Sequence, residues 1–265
     1  MNTKNWFLWF WLISFLFVES SIVYGESSPL TTQDEIYRKA IALTEVGDND
    51  AAFEMLKKLT YDNSKDQLRY THVLVEQGII MKDAKNQAWK AKAKEAAYNI
   101  KVLYRTNFNS PDYWMVYAKY AALVNRERHV YGAFKKAFFF KPDYNEGHIV
   151  KGDIYTYLAK NTEPEETIIS TSITDDLTTM METTGRDIFV RTIRGKEAKK
   201  AYETALVNQS LDNIRKAYIY YKIGELEMLI FSNKNEATRN WKKAIEIAPD
   251  SMYGKKSNEL LSKNQ

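Results

Sequence analysis

The sequence predicts an all-α fold built from repeated pairs of antiparallel helices, and three observations lead to this prediction. Only 10 glycines and 5 prolines occur in 265 residues, so few positions would interrupt a helix. No stretch alternates apolar and polar residues for long with the period of two that marks a strand. Two stretches, 111–144 and 217–251, repeat the same order of aromatic, small and proline residues. We therefore expect a single helical-repeat domain over residues 26–265.

The repeated pattern has an aromatic residue in the first helix, small residues where two helices cross, and a proline after the second helix. Small side chains matter at the crossings because two antiparallel helices can approach closely only where the side chains between them are short. The positions that define the pattern are Trp114, Ala118, Ala137, Pro142, Gly152, Gly224, Ala237, Trp241, Ala244 and Pro249. The pattern resembles the tetratricopeptide repeat (TPR), a helix–turn–helix unit of about 34 residues. The resemblance implies a TPR-like right-handed α-solenoid of about five irregular repeats with a C-terminal capping helix.

Helix start and stop signals place the repeats along the chain. The first repeat opens with Thr32 or Asp34 as a helix cap and turns at Gly47, whereas the second has a connection about ten residues longer than usual. The third opens at Pro111, and residues 252–265 follow the last repeat as an amphipathic cap. The predicted repeats lie near residues 32–66, 66–110, 111–144, 145–211 and 217–251.

An insertion interrupts the fourth repeat over residues 160–194. It lacks the repeat pattern and contains nine threonines. Long connections inside compact domains are usually functional or disordered, but this one carries apolar residues as well. We expect it to pack over one face of the solenoid, partly as a short helix around residues 175–193, with the repeat resuming after Gly195.

The N-terminus predicts export. Trp6 to Val18 is an apolar run broken only by Ser14, and small residues follow up to an expected cleavage point after Gly25. The run is shorter than the roughly 20 residues of a membrane-spanning helix. A signal peptide over residues 1–25 therefore predicts a periplasmic or secreted protein, with an uncleaved membrane anchor as the alternative. Cysteine is absent, which excludes disulfides and a lipid-modified cysteine.

The sequence contains no pattern that indicates catalysis. His72, His129 and His148 lie far apart, so no metal site is expected, and no glycine-rich phosphate loop or nucleophile motif indicates a cofactor or an enzyme. The net charge is only +4, with basic and acidic residues interleaved, which gives no reason to expect nucleic acid as a partner.

The resemblance to TPR proteins implies a protein or peptide partner, bound where the first helix of each repeat lines the concave side. The residues that this implies are Met115, Lys119, Ile149, Asp153, Tyr157, Tyr218, Tyr221, Glu225 and Met228. Aromatic and methionine side chains favour interfaces, so an apolar or aromatic segment is the expected ligand. Phe139 is a separate candidate because the last repeat has Glu246 at the equivalent position; either neighbouring chain covers this ring or a partner does.

These features lead to two functional hypotheses. The first is an exported scaffold or adaptor that mediates protein–protein interaction in the periplasm or cell envelope. The second follows from a loose resemblance to the TPR-type subunit of tripartite (TRAP) transporters, which implies an accessory subunit that binds a solute-binding protein or an apolar small ligand. An enclosed cavity inside the superhelix would favour the second. The oligomeric state is left open.

Overall fold

The computed structural model describes residues 32–59, 67–161, 173–207 and 211–264. The predicted signal peptide and its cleavage point lie outside these residues. The described chain forms eleven helices, which we number α1 Thr32–Glu45, α2 Asn49–Lys57, α3 Gln67–Asp83, α4 Trp89–Asn107, α5 Pro111–Leu123, α6 Glu127–Phe140, α7 Asn145–Lys160, α8 Ile173–Val207, α9 Asn213–Leu229, α10 Lys234–Ile247 and α11 Met252–Lys263. No helix in these ranges is both long enough and apolar enough to cross a bilayer.

The helices pack as consecutive antiparallel pairs, which confirms the predicted fold class. The pairs are α1 with α2, α3 with α4, α5 with α6, α7 with α8, and α9 with α10. The first helices of neighbouring pairs also contact one another, as α3 does with α5 and α5 with α7. Helix α11 packs against both α9 and α10, where it covers the end of the stack as a capping helix should.

Local sequence explains where several helices begin. The Ser110 hydroxyl accepts a hydrogen bond from the backbone N–H of Tyr113 (3.3 Å) before α5, and Pro111 occupies the first turn, where its missing N–H costs nothing. The Asp212 carboxylate accepts from the N–H of Arg215 (2.7 Å) and begins α9 in the same way. These caps fix the start of two first helices, and with them the direction of their inner faces.

Small residues lie where the helices of a pair approach most closely. A Cβ atom on Gly152 would stand 2.4 Å from the ring of Tyr202, and one on Gly224 would stand 2.4 Å from Nε1 of Trp241. Both large rings are fully buried. The alanines of the pattern are also fully buried, namely Ala118, Ala137, Ala237 and Ala244. The glycine in one helix and the aromatic ring in its partner therefore form a single packing unit.

The fourth pair differs from its prediction because α8 is one continuous helix of 35 residues. The expected short helix around 175–193 is therefore not a separate element, and the helix continues through Gly195 without a break. A Cβ on Gly195 would stand 2.7 Å from Ile230, so the absence of a side chain there allows α8 to pack closely against the end of α9. Threonine is also accommodated within the helix, as Thr192 donates to the carbonyl of Ile188 (2.8 Å). Residues 162–172 of the predicted insertion lie outside the described residues.

The two ends of the superhelix meet across its interior. Nη1 of Arg215 in α9 donates to Oε1 of Glu45 at the end of α1 (3.0 Å), and the Tyr253 hydroxyl of α11 donates to the same carboxylate. Val46 belongs to the same buried cluster as Tyr218 and Tyr253. The inner face is therefore partly closed by the molecule itself.

Candidate functional site

The first helices of all five pairs surround a cavity of about 290 Å³. Its lining comes from α1, α3, α5, α7 and α9, together with Gly47 in the turn after α1, Asn49 at the start of α2 and Tyr144 just before α7. Acidic side chains outnumber basic ones in this lining. The carboxylates are Glu45, Glu76, Asp83, Asp112, Glu146, Asp153 and Glu225, and the lysines and arginine are Lys119, Lys160, Arg215 and Lys222.

One part of the lining is a buried cluster between α3 and α5. The ammonium of Lys119 donates to Glu76 and lies 3.1 Å from Nε2 of His72, which is itself 2.9 Å from the Glu76 carboxylate. The Tyr37 hydroxyl contacts Nδ1 of the same imidazole. Burial and the charge of Lys119 lower the pKa of His72, so the neutral ring is favoured.

Glu76 and Lys119 stabilise each other as an ion pair. Burial alone would raise the pKa of Glu76, but the charge of Lys119 and the hydrogen bond to His72 outweigh it and hold the pKa well below its usual range. Burial would likewise lower the pKa of Lys119, yet the Glu76 and Asp153 carboxylates raise it. The pair is therefore ionised although its side chains are only 7% and 14% exposed.

Asp153 in α7 is held deep in the cavity by tyrosine hydroxyls. Its Oδ1 accepts hydrogen bonds from the hydroxyls of Tyr202 (2.7 Å) and Tyr218. Burial raises the pKa of Asp153, an effect that Lys222 and Lys119 only partly offset. Burial and the nearby Asp153 also raise the pKa values of both tyrosines well above their ordinary range, so they remain hydrogen-bond donors.

Two further cations form ion pairs on the far side of the cavity. Arg215 binds Glu146 with two nitrogens, Nη2 at 2.6 Å and Nε at 3.3 Å, while its Nη1 binds Glu45. Lys222 donates to Glu225 (2.9 Å) on the next turn of α9. These cations are almost fully committed to internal carboxylates, with side chains 8% and 11% exposed.

The lining determines which ligands the cavity can accept. Apolar side chains such as Ile41, Met115 and Ile154 line the cavity beside the ionised groups. An apolar ligand would meet these side chains, and a cationic group would meet an excess of carboxylates together with tyrosine oxygens. The volume is near the lower limit for small-molecule pockets, so a small molecule or a single side chain of a partner can enter, but a helix cannot. Within the described residues, no group of three or more histidines and acids is placed to hold a metal ion.

The structure brings most of the predicted partner-binding residues to this cavity. Those that line it are Met115, Lys119, Asp153, Tyr157, Tyr218 and Glu225. Ile149 and Tyr221 lie instead in the buried core, at 0% and 2% exposure, and Met228 packs against that core. Phe139 is not covered by its neighbours, since 78% of its surface is exposed.

Sequence reasoning did not identify most of the titratable side chains of the lining. Those it missed are Glu45, His72, Glu76, Asp83, Asp112, Glu146, Lys160, Arg215 and Lys222. Glu76 and His72 lie in the weakest copy of the repeat, so no pattern marked their face of α3. Glu45 lies at the last position of α1, and its side chain reaches the cavity only because the superhelix brings α1 and α9 together.

No protein-family model and no curated protein matches this chain. Among solved structures, the chain is similar to TTC0263, a thermophilic TPR protein of Thermus thermophilus, with 16% identity, 86% of this chain and 98% of that chain covered, and a TM-score of 0.48. It is also similar to the MamA protein (15% identity, 82% and 92% covered, TM-score 0.40) and to MamA MSR-1 C2 (16% identity, 82% and 97% covered, TM-score 0.34). The properties of the cavity are therefore drawn from this chain alone.

Proposed function

We propose that this protein is a non-catalytic interaction scaffold that binds a partner protein at the inner face of its superhelix. A basic side chain or an amino terminus of the partner would enter the cavity. The observation that supports this is the convergence of all five first helices on one cavity whose lining has seven carboxylates and four basic side chains. Charge complementarity of this kind contributes mainly to specificity and to the rate of association.

Photo-crosslinking in cells tests the position of the binding face. A benzoylphenylalanine at Tyr157, which lines the cavity, should capture the partner. Benzoylphenylalanine in place of Lys242, which is exposed on α10, is the matched control and should not capture the partner. Equal capture at both positions, or capture at position 242 alone, would contradict the proposal.

Neutralising one carboxylate tests the charge argument. Glu225→Gln should weaken retention of the partner, because it removes an inner charge without changing the size of the side chain. Glu246→Gln changes an exposed glutamate on α10 and serves as the control. Retention that responds equally to the two substitutions would mean that the inner face is not the binding surface.

We also propose export to the periplasm or cell envelope, which the run from Trp6 to Val18 and the small residues before Gly25 support. N-terminal sequencing of the protein recovered from fractionated cells tests this. A mature chain that starts at Glu26 is expected. A full-length chain in the cytoplasmic fraction would exclude export.

A second candidate function is supported by the size of the inner cavity. An accessory subunit of a solute transport system would hold a small molecule there, and the lining has both apolar side chains and charged groups that such a solute could contact. Native mass spectrometry of the purified protein distinguishes the two. A bound small molecule that is lost in Glu225→Gln would favour this second function. Capture of a partner protein in the crosslinking experiment, with no small molecule in the native mass spectrum, would favour the scaffold.

A further inference from the structure

A second concave surface lies on the third repeat, away from the inner cavity. Helices α4 and α6 are separated there by a groove of about 590 Å³ whose floor is α5. We call it the outer groove. It shares no lining residue with the inner cavity.

Aromatic rings form the floor and one wall of the outer groove. The ring of Trp114 packs edge to face against the rings of Tyr104 and Tyr117, with ring centres 6.1 Å and 5.8 Å apart. The ring of Tyr117 stacks against that of Tyr120, with ring centres 6.4 Å apart. Tyr117 is held in place by a hydrogen bond between its hydroxyl and Nδ1 of His129 (2.7 Å). Tyr104 is 48% exposed, so an aromatic surface remains open to a ligand.

The charge of the outer groove is entirely basic. Lys101 of α4 and Arg126, Arg128 and Lys136 at α6 line it, and none of its described lining residues is Asp or Glu. Such segregation is unusual in this chain, where 38 basic and 34 acidic residues are otherwise interleaved. Because the described lining supplies no carboxylate, an anionic ligand can pair with these cations.

Gly132 provides a second, independent indication of a ligand. It lies in the interior of α6, where glycine destabilises a helix relative to alanine. The other helical glycines whose surroundings the structure describes have a packing reason, such as the ring of Tyr202 against Gly152. A Cβ on Gly132 would meet no atom within 4 Å, although the residue lines the outer groove. The missing side chain therefore leaves room for something outside the fold.

We propose that the outer groove binds an acidic, extended segment of a partner protein. Carboxylates of that segment would pair with the four cations, while its backbone would pass close to Gly132 and its apolar side chains would contact Tyr104 and Tyr117. Charge complementarity is the reason for choosing an acidic peptide.

Nucleic acid is less suited to the outer groove. Binding of single-stranded nucleic acid relies on free aromatic faces on which bases stack. Here Trp114 is only 5% exposed, and the Lys136 ammonium lies 4.1 Å from the centre of its ring. Tyr113 beside it is 3% exposed. These two rings therefore offer almost no free face on which a base could stack.

Fluorescence anisotropy with a labelled peptide of alternating glutamate and proline tests the proposal. The peptide should bind the full-length protein, and the same peptide with glutamine in place of glutamate should not. The double reversal Lys101→Glu/Arg128→Glu should weaken binding by about tenfold or more. The matched control is Lys242→Glu/Lys255→Glu, which reverses two exposed lysines outside the groove and should change the affinity less than about twofold.

Gly132→Gln separates loss of binding from loss of folding. Glutamine is a better helix former than glycine, so the thermal midpoint should not fall, yet its side chain would occupy the groove and weaken peptide binding. Three results would overturn the proposal: no binding of the acidic peptide, equal weakening by the control reversal, or binding of labelled oligothymidylate in place of the peptide.

Discussion

The guanidinium of Arg215 binds the carboxylate of Glu45 at 3.0 Å although the two residues are 170 positions apart in the chain. This contact joins the last helix pair to the first. Arg215 also binds Glu146 of α7, so three helices meet at one side chain. A polar contact therefore joins the ends of the superhelix, in addition to the packing of neighbouring repeats.

Removing Arg215 is expected to destabilise the protein strongly. Arg215→Met would leave Glu45 and Glu146 without their cation in a site where the arginine side chain is 8% exposed. Loss of one partner of a buried ion pair costs about 3–5 kcal/mol, and the lower end applies because the Glu146 side chain keeps 26% exposure. Denaturant unfolding of the two proteins measures the difference.

The control for this substitution is Arg239→Met. Arg239 binds Glu236 at 3.2 Å, but its side chain is 64% exposed. Surface pairs contribute about 0–1 kcal/mol, so this substitution should have a small effect. If Arg215→Met were equally mild, the contact with Glu45 would not hold the ends of the superhelix together.

The helix pairs could be predicted from the sequence, but the cavity could not. The reason is that the pairs depend on residues close together in the chain, whereas the cavity depends on how distant repeats meet. The pairing follows from local signals, as in the spacing of Gly224 from Trp241, which a single repeat contains. The meeting of Glu45 with Arg215 depends on crossing angles added over four successive pairs. Gly195 illustrates a third limit: glycine marks a break or a close helix contact equally well, and only the position of Ile230 distinguishes them.

Glycine substitutions are expected to change stability in opposite directions. In Gly152→Ala the new methyl group would stand 2.4 Å from the buried ring of Tyr202, so overpacking should cost about 1–3 kcal/mol. In Gly132→Ala the methyl group meets no atom, so the gain in helix propensity should stabilise the protein by about 0.5–1 kcal/mol. Thermal and denaturant unfolding of both variants check the signs. A stabilised Gly152→Ala would contradict the close contact with Tyr202.

Glu76 should make stability depend on acid pH. Its pKa is lowered in the folded state by Lys119 and His72, so the ionised form stabilises the fold above the pKa of an unfolded glutamate. That stabilisation is lost as the pH falls from the unfolded-state pKa towards the lower folded-state pKa. In Glu76→Gln this component is absent. The unfolding free energies of the two proteins should therefore differ most near neutral pH and converge in acid. A difference that stays constant with pH would show that Glu76 acts only through packing.

Asp153 should contribute with the opposite sign. Burial raises its folded-state pKa, so the fold binds a proton more tightly than the unfolded chain does, and the stabilisation is present below the unfolded pKa and lost as the pH rises through the folded one. Asp153→Asn keeps an oxygen that accepts from Tyr202 or Tyr218 but cannot ionise. Its stability relative to the original protein should therefore increase from acid towards neutral pH, which thermal midpoints measured across this range would reveal. Because Glu76 shifts in the other direction, each single variant keeps one of the two effects and the double variant keeps neither. The double variant should therefore show a weaker pH dependence of stability than either single variant, and a steeper one would contradict the opposite signs.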